Sequence, residues 1–138
     1  MKLIKIMLLF TAGGLIYGGI EIAHRGFTHI SMFIAGGLCF VLIGSIKYWN
    51  KTRPISISTQ MIISGLIITV LELVSGLIVN IWLGMEVWDY SDQPVNLLGQ
   101  ICLHASTLWI YLSFVGIYLD CFARKKMFGE KVAELRML

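Results

Sequence analysis

The sequence predicts an all-α integral membrane protein with four transmembrane helices and both termini in the cytoplasm. Three observations carry that prediction. Hydrophobic residues make up 57% of the 138-residue chain and charged residues 14%, too apolar a mixture for one water-soluble core. Four apolar stretches, at about 3–22, 30–49, 59–83 and 96–119, reach the roughly twenty residues that cross about 30 Å of hydrocarbon. The basic residues between them are sorted: Lys2, Lys5, Lys47, Lys51, Arg53, Arg124, Lys125, Lys126, Lys131 and Arg136 fall on one side of a four-span chain, and Arg25 on the other. That asymmetry sets an N-in, C-in topology.

The first span opens behind Lys2 and Lys5, and its apolar run continues to Ile20 with no small-residue cleavage site, so it reads as an uncleaved helix. Gly14 and Gly18 form a GxxxG step on it, suited to close helix contact within the fold or between copies. The connection Ala23 to His29 is short, which makes spans one and two antiparallel neighbours. Pro54 falls in the inner loop and Pro94 in the outer one, so both prolines punctuate connections and spare helix interiors. Residues 1–121 thus form a four-helix domain, and 122–138 a basic cytoplasmic tail. From Arg124 onward, charges alternate with Met127, Phe128, Val132, Leu135 and Leu138, a spacing open to a short amphipathic helix on the inner leaflet or to a solvated tail.

An internal repeat is visible across the halves. Gly14-Leu15-Ile16 followed by Glu21 recurs as Gly65-Leu66-Ile67 followed by Glu72, and Gly36 with Cys39 resembles Gly99 with Cys102. Spans one and three run in the same direction, so a duplication gives a parallel two-helix repeat about an axis along the membrane normal. Coincidence is the alternative, since Leu, Ile and Gly are common in every membrane helix. The basic residues bunch at helix ends, where they anchor topology and meet anionic lipid, and this excludes nucleic acid as a partner. Cys39, Cys102 and Cys121 form no CxxC pair and read as buried free thiols; no cofactor is indicated.

The residues that could carry chemistry gather in the outer half. Glu72 interrupts an apolar span, where a carboxylate is costly unless paired, hydrated or protonated. Thr69, Ser75 and Gly76 share its face, and His104, between Gln100 and Thr107, sits at comparable depth on span four. The expected site is a Glu72–His104 proton or ion pair, entered past Gln100 and Asn80; the structural alternative is an interhelical hydrogen bond that locks the bundle. Glu21 and Arg25, spaced i,i+4, form an ion pair at the outer end of span one. His24 and His29 beside them are candidates for a metal, although their spacing fits no standard zinc motif. Asp89, between Trp88 and Tyr90, is placed to bridge to Arg25 as a lid over Glu21, Glu72 and His104, with Asn96 and Gln100 completing the polar outer segment.

These motifs, Tyr17-x-x-Ile20-Glu21, Arg25-Gly26-x-x-His29-x-Ser31-Met32, Gly36-Gly37-Leu38-Cys39-Phe40, Glu72-Leu73-x-x-Gly76-x-x-Val79-Asn80, Trp88-Asp89-Tyr90-Ser91 and Pro94-x-Asn96-x-x-Gly99-Gln100, resemble those of small bacterial membrane proteins named as putative ABC-transporter type IV permeases. The resemblance implies a transporter or permease-type subunit in the bacterial cytoplasmic membrane. No GxxxxGK[ST] phosphate loop occurs in the chain, so transport implies homo-oligomerisation or another membrane subunit, and a separate ATPase. The stretch His24-Arg25-Gly26-Phe27-Thr28-His29 also resembles part of the signature of membrane-embedded metal-dependent hydrolases, which makes an enzyme the less favoured reading. A regulatory or assembly subunit without transport of its own is the third.

Overall fold

The computed structural model describes residues 2–50 and 52–130. Helix α1 (Lys2–Arg25), helix α2 (Ile30–Ser45, extended by a 3₁₀ turn Ile46–Tyr48), helix α3 (Ile57–Gly76, continued as a π-helix Leu77–Trp82) and helix α4 (Leu103–Phe128) are joined by loops and one small hairpin. Among the described residues these four helices are long and apolar enough to cross a membrane.

Local chemistry sets the boundaries. Arg25 closes α1, and Gly26, at φ +81°, supplies the left-handed residue that starts the turn into α2. His29 then caps α2, its Nδ1 accepting from Ser31 N at 3.1 Å. Ser56 caps α3 by accepting from Thr59 N. The first three expected spans start and stop within a few residues of the observed helices, but span four needs correction. Asn96–Leu97 (β1) pairs antiparallel with Ile101–Cys102 (β2), so the residues assigned to the first turns of span four form a hairpin. Its backbone enters that hairpin through Val95 and turns at Leu98 and Gly99, all with positive φ. Helix α4 begins at Leu103 with Cys102 as its cap and runs past 119 to Phe128, so the first part of the expected tail continues the helix. Residues 131–138, which hold the rest of that tail, lie outside the described residues.

The helices pack as two hairpins, α1 with α2 and α3 with α4, and α2 lies against both members of the second. The α1–α2 contact is built on close approach of backbones. Gly13 and Gly14 of α1 lie against Phe40 and Phe33 of α2, while Gly36 and Gly37 of α2 lie against Tyr17 and Phe10 of α1. Any side chain there would push the helices apart, the logic of small residues in membrane interfaces. Of the expected GxxxG step, Gly14 belongs to this contact, but Gly18 meets only Thr28 at 3.8 Å. Gly65 of α3 receives Ile110 of α4 in the same way. Gly14 and Gly65 each face the helix that follows their own, Phe33 of α2 and Ile110 of α4, so the expected repeat has a counterpart at these two glycines. It fails between α2 and α4, where Gly36 and Cys39 are mid-helix but Gly99 and Cys102 belong to the hairpin.

The end of the bundle where α1 starts and α4 finishes is clasped by charge. Asp120 of α4 is fully buried against Gly44 of α2, and its Oδ2 accepts from Lys47 Nζ and from Arg124 Nε. Lys5 of α1 reaches Glu130 at 2.9 Å, and Arg124 reaches the same carboxylate at 3.4 Å. Residues that read as topology anchors therefore form an ion network joining α1, α2 and α4.

Candidate functional site

Glu72 sits one turn before the π-helical end of α3 and is 8% exposed. An isolated carboxylate in an apolar span is costly, and each oxygen here is occupied by a neutral donor. Tyr90 Oη donates to Oε1 at 2.9 Å and Trp109 Nε1 donates to Oε2 at 3.0 Å. Trp109 comes from α4 and Tyr90 from the loop between α3 and the hairpin, so Glu72 ties α3 to both. Glu21 on α1 is held in parallel fashion: Tyr17 Oη donates to Oε1 at 3.1 Å and Arg25 Nε to Oε2 at 2.6 Å. The Tyr17 and Trp109 rings lie 6.0 Å apart at 45°, which closes a chain of contacts Arg25–Glu21–Tyr17–Trp109–Glu72–Tyr90 across the bundle.

A lid covers this chain. Arg25 Nη1 donates to the Val87 carbonyl at 2.8 Å, and the Val87 N–H donates to Asn80 Oδ1 at 2.7 Å. Asn80 Nδ2 donates to Gln100 Oε1, Gln100 Nε2 to the Leu98 carbonyl, and Trp88 Nε1 to the Gln100 carbonyl. Asn80 projects from the π-helical segment, a distortion that re-aims side chains and is frequent at functional sites. Gly76 leaves the room that Gln100 fills. Burial, and next the neighbouring Glu72 carboxylate, push the Tyr90 phenol above its ordinary range, so it serves Glu72 as a donor. Where α1 turns into α2, Arg25 Nη2 and Thr28 Oγ1 are enclosed without hydrogen-bond partners among the described residues.

Of the expected site residues, Glu21, Arg25, Glu72, Asn80 and Gln100 come together, although Asn80 and Gln100 stitch the lid and do not line an entry path. Two expected pairings are not formed. His104 is exposed on the outward face of α4 and does not meet Glu72, because the hairpin delays the start of α4 and sets its rotation. Arg25 turns to Glu21 and the Val87 carbonyl and does not bridge to Asp89, which is exposed and accepts from Ser91 N at 2.8 Å. Hydrogen bonding from the Ser91 side chain, and next from its backbone N–H, holds the Asp89 carboxyl below its usual range. Asn96 closes the hairpin turn, accepting from Gly99 N at 3.0 Å and donating to the Gln93 carbonyl at 2.8 Å. His24 is exposed and His29 is engaged in capping α2. Among the described residues no three His, Cys, Asp or Glu side chains are grouped to hold a metal ion.

Tyr17, Tyr90 and Trp109 are the members the sequence reading missed. Tyr17 carried a signal, since it stands one helical turn before Glu21. Tyr90 and Trp109 carried none, because a loop or membrane-belt aromatic looks the same whether or not its polar atom finds a carboxylate. Asp120 was also missed, lying just beyond the apolar run and beside a basic tail.

Residues 5–134 match the family model described as Putative ABC-transporter type IV, and the chain belongs to that family. No curated protein and no solved structure matches it.

Proposed function

We propose, with membership of that family as the premise, that this chain is a small transporter or permease-type membrane subunit whose polar site is the Glu21–Glu72 cluster. The observation that carries the reading is the pair of neutral donors on Glu72, one from α4 and one from the lid. Protonating Glu72, or giving it a cationic ligand, removes its need for the Tyr90 hydroxyl, so occupancy of the site and seating of the lid are linked. Arg25 Nη2 and Thr28 Oγ1, unpartnered among the described residues, supply spare hydrogen-bonding capacity at the outer end of the same cluster. The topology is N-in, C-in in a bacterial cytoplasmic membrane. Energised transport then requires a separate ATPase and further membrane-embedded mass, as a second copy or another subunit.

The test is proton flux into liposomes holding the purified chain with whatever membrane subunit and ATPase accompany it from its native membrane, read by an enclosed pH-sensitive dye. Glu72→Gln is expected to abolish the flux while leaving the yield of folded protein unchanged. Full flux in Glu72→Gln would remove Glu72 from the transport site. A second reading is a regulatory or assembly subunit, favoured by the mutual satisfaction of both glutamates in the cluster. It requires that the partners alone carry undiminished flux and that adding this chain changes only its regulation. The hydrolase reading needs a donor set that His29, engaged in capping α2, and the outward His24 do not supply.

A further inference from the structure

Side chains that face lipid are expected to be aliphatic, because a hydroxyl or imidazole turned to hydrocarbon has no partner. Helix α3 follows this rule, exposing Ile62, Leu66, Val70 and Val74. Helix α1 does as well, exposing Leu8, Leu15, Ile16 and Ile20, and its exposed Thr11 returns its hydroxyl to the Met7 carbonyl.

Helix α4 departs from the rule. Its outward face carries His104, Leu108, Tyr111, Val115, Tyr118 and Phe122, every one of them exposed. The spacing alternates four and three residues, the 3.5-residue period of a left-handed helix–helix seam. Polar and apolar members each recur every seven. Tyr111 is 68% and Tyr118 59% exposed, and neither hydroxyl, nor the His104 ring, has a hydrogen-bond partner among the described residues. Tyr111 lies eight residues after Leu103 and nine before the buried Asp120, hence about 12 Å from the first and 14 Å from the second. That depth is too great for a headgroup anchor.

We propose that this stripe is the surface through which two copies of the chain pair side by side, about a two-fold axis along the membrane normal. Copies inserted in the same orientation present the stripe in parallel, so each position meets its own equivalent. Tyr111 then faces Tyr111, and a phenol hydroxyl both donates and accepts, so like satisfies like. Between Leu103 and Cys121 the one charged residue of the helix, Asp120, is buried, so the exposed face brings no like-charge repulsion to self-association. Beside the outer half of the stripe, Pro94, Val95 and Thr107 border a recess of about 390 Å³ that takes a side chain of the second copy. The pairing is independent of the transport reading.

Oxidative cross-linking in the native membrane tests it. Tyr111→Cys and Tyr118→Cys are compared with Val70→Cys on the aliphatic face of α3, and the wild-type chain, with Cys39, Cys102 and Cys121, sets the background. Covalent dimers of twice the chain mass are expected at 111 and 118 and not at 70. Tyr111→Phe keeps the ring and removes the hydroxyl. It is expected to raise the dissociation constant in liposomes, read by energy transfer between labelled copies, by about three- to tenfold. Cross-linking at 70 equal to that at 111, an adduct at 111 whose mass is that of a different protein, or a dissociation constant unmoved by Tyr111→Phe would each overturn the proposal.

Discussion

Trp109 of α4 donates its indole N–H to Glu72 Oε2 of α3 at 3.0 Å while its ring packs against Tyr17 of α1. One side chain thus links three helices at the level of the buried carboxylate. Trp109→Phe keeps an aromatic ring but leaves that oxygen without a donor, a loss of about 1–3 kcal/mol. Unfolding in mixed detergent should register it, and the double variant with Glu72→Gln should lose less than the sum of the two single changes. Strict additivity would mean that the contact contributes nothing to stability.

The inner clasp predicts an asymmetry between breaking a charge network and replacing it. Asp120→Ala leaves Lys47 and Arg124 enclosed without their shared counter-charge and should cost about 3–5 kcal/mol. Replacing both partners, as Lys47→Met with Asp120→Leu, should recover a large part of that loss. Thermal unfolding of the wild type and these two variants in one detergent measures the difference.

The α1–α2 seam makes neighbouring glycines unequal. A methyl at Gly14 would stand 2.8 Å from the Phe33 carbonyl oxygen, which cannot move aside, whereas Gly19 on the same helix has nothing within 4 Å. Gly14→Ala is expected to destabilise by about 1–3 kcal/mol. Gly19→Ala should be neutral or slightly stabilising, because alanine is the better helix former. Equal melting temperatures for the two variants would contradict the seam.

Two of the groups outside the spans contribute to the pH dependence of stability with opposite signs. The hydrogen bond from Lys5 holds the Glu130 carboxyl below its usual range, so its contribution is complete above the unfolded value of about 4.3 and disappears as pH falls through the lower folded value. For Tyr90 the sign is opposite: burial, then Glu72, raise the phenol, so its contribution is complete below about 10 and is lost as pH rises further. Glu130→Gln should flatten the acid limb of a stability–pH curve and Tyr90→Phe the alkaline limb. Unchanged limbs would refute both assignments.

Arg25 fastens the lid through the Val87 carbonyl. Arg25→Gln should raise amide exchange across residues 85–93 while leaving α1 and α2 protected, as read by hydrogen–deuterium exchange mass spectrometry. Protection equal to wild type would show that Asn80 and Gln100 suffice.

The four helices were legible because hydropathy and length report on the bilayer, and Glu21, Arg25 and Glu72 were legible because charge stands out in an apolar run. The rotation of α4 was not. In a soluble bundle the apolar stripe marks the inner face, but in lipid both faces are apolar and that signal vanishes. His104 could therefore be placed at a depth but not on a side. The start of α4 was hidden for another reason: Val95, Leu97, Leu98 and Ile101 are apolar enough to read as membrane, and only the folded hairpin with its positive-φ turn shows that they are not helical.

The π-helical end of α3 gives the outer surface a mechanical character. A π turn holds one residue more than the α-helix around it would, and that surplus points Asn80 at the Val87 N–H and Gln100. Losing the surplus would swing everything beyond it by about 100°, the angle per residue of an α-helix. The register of the last turn of α3 is thus what aims Asn80 at the loop that covers the site.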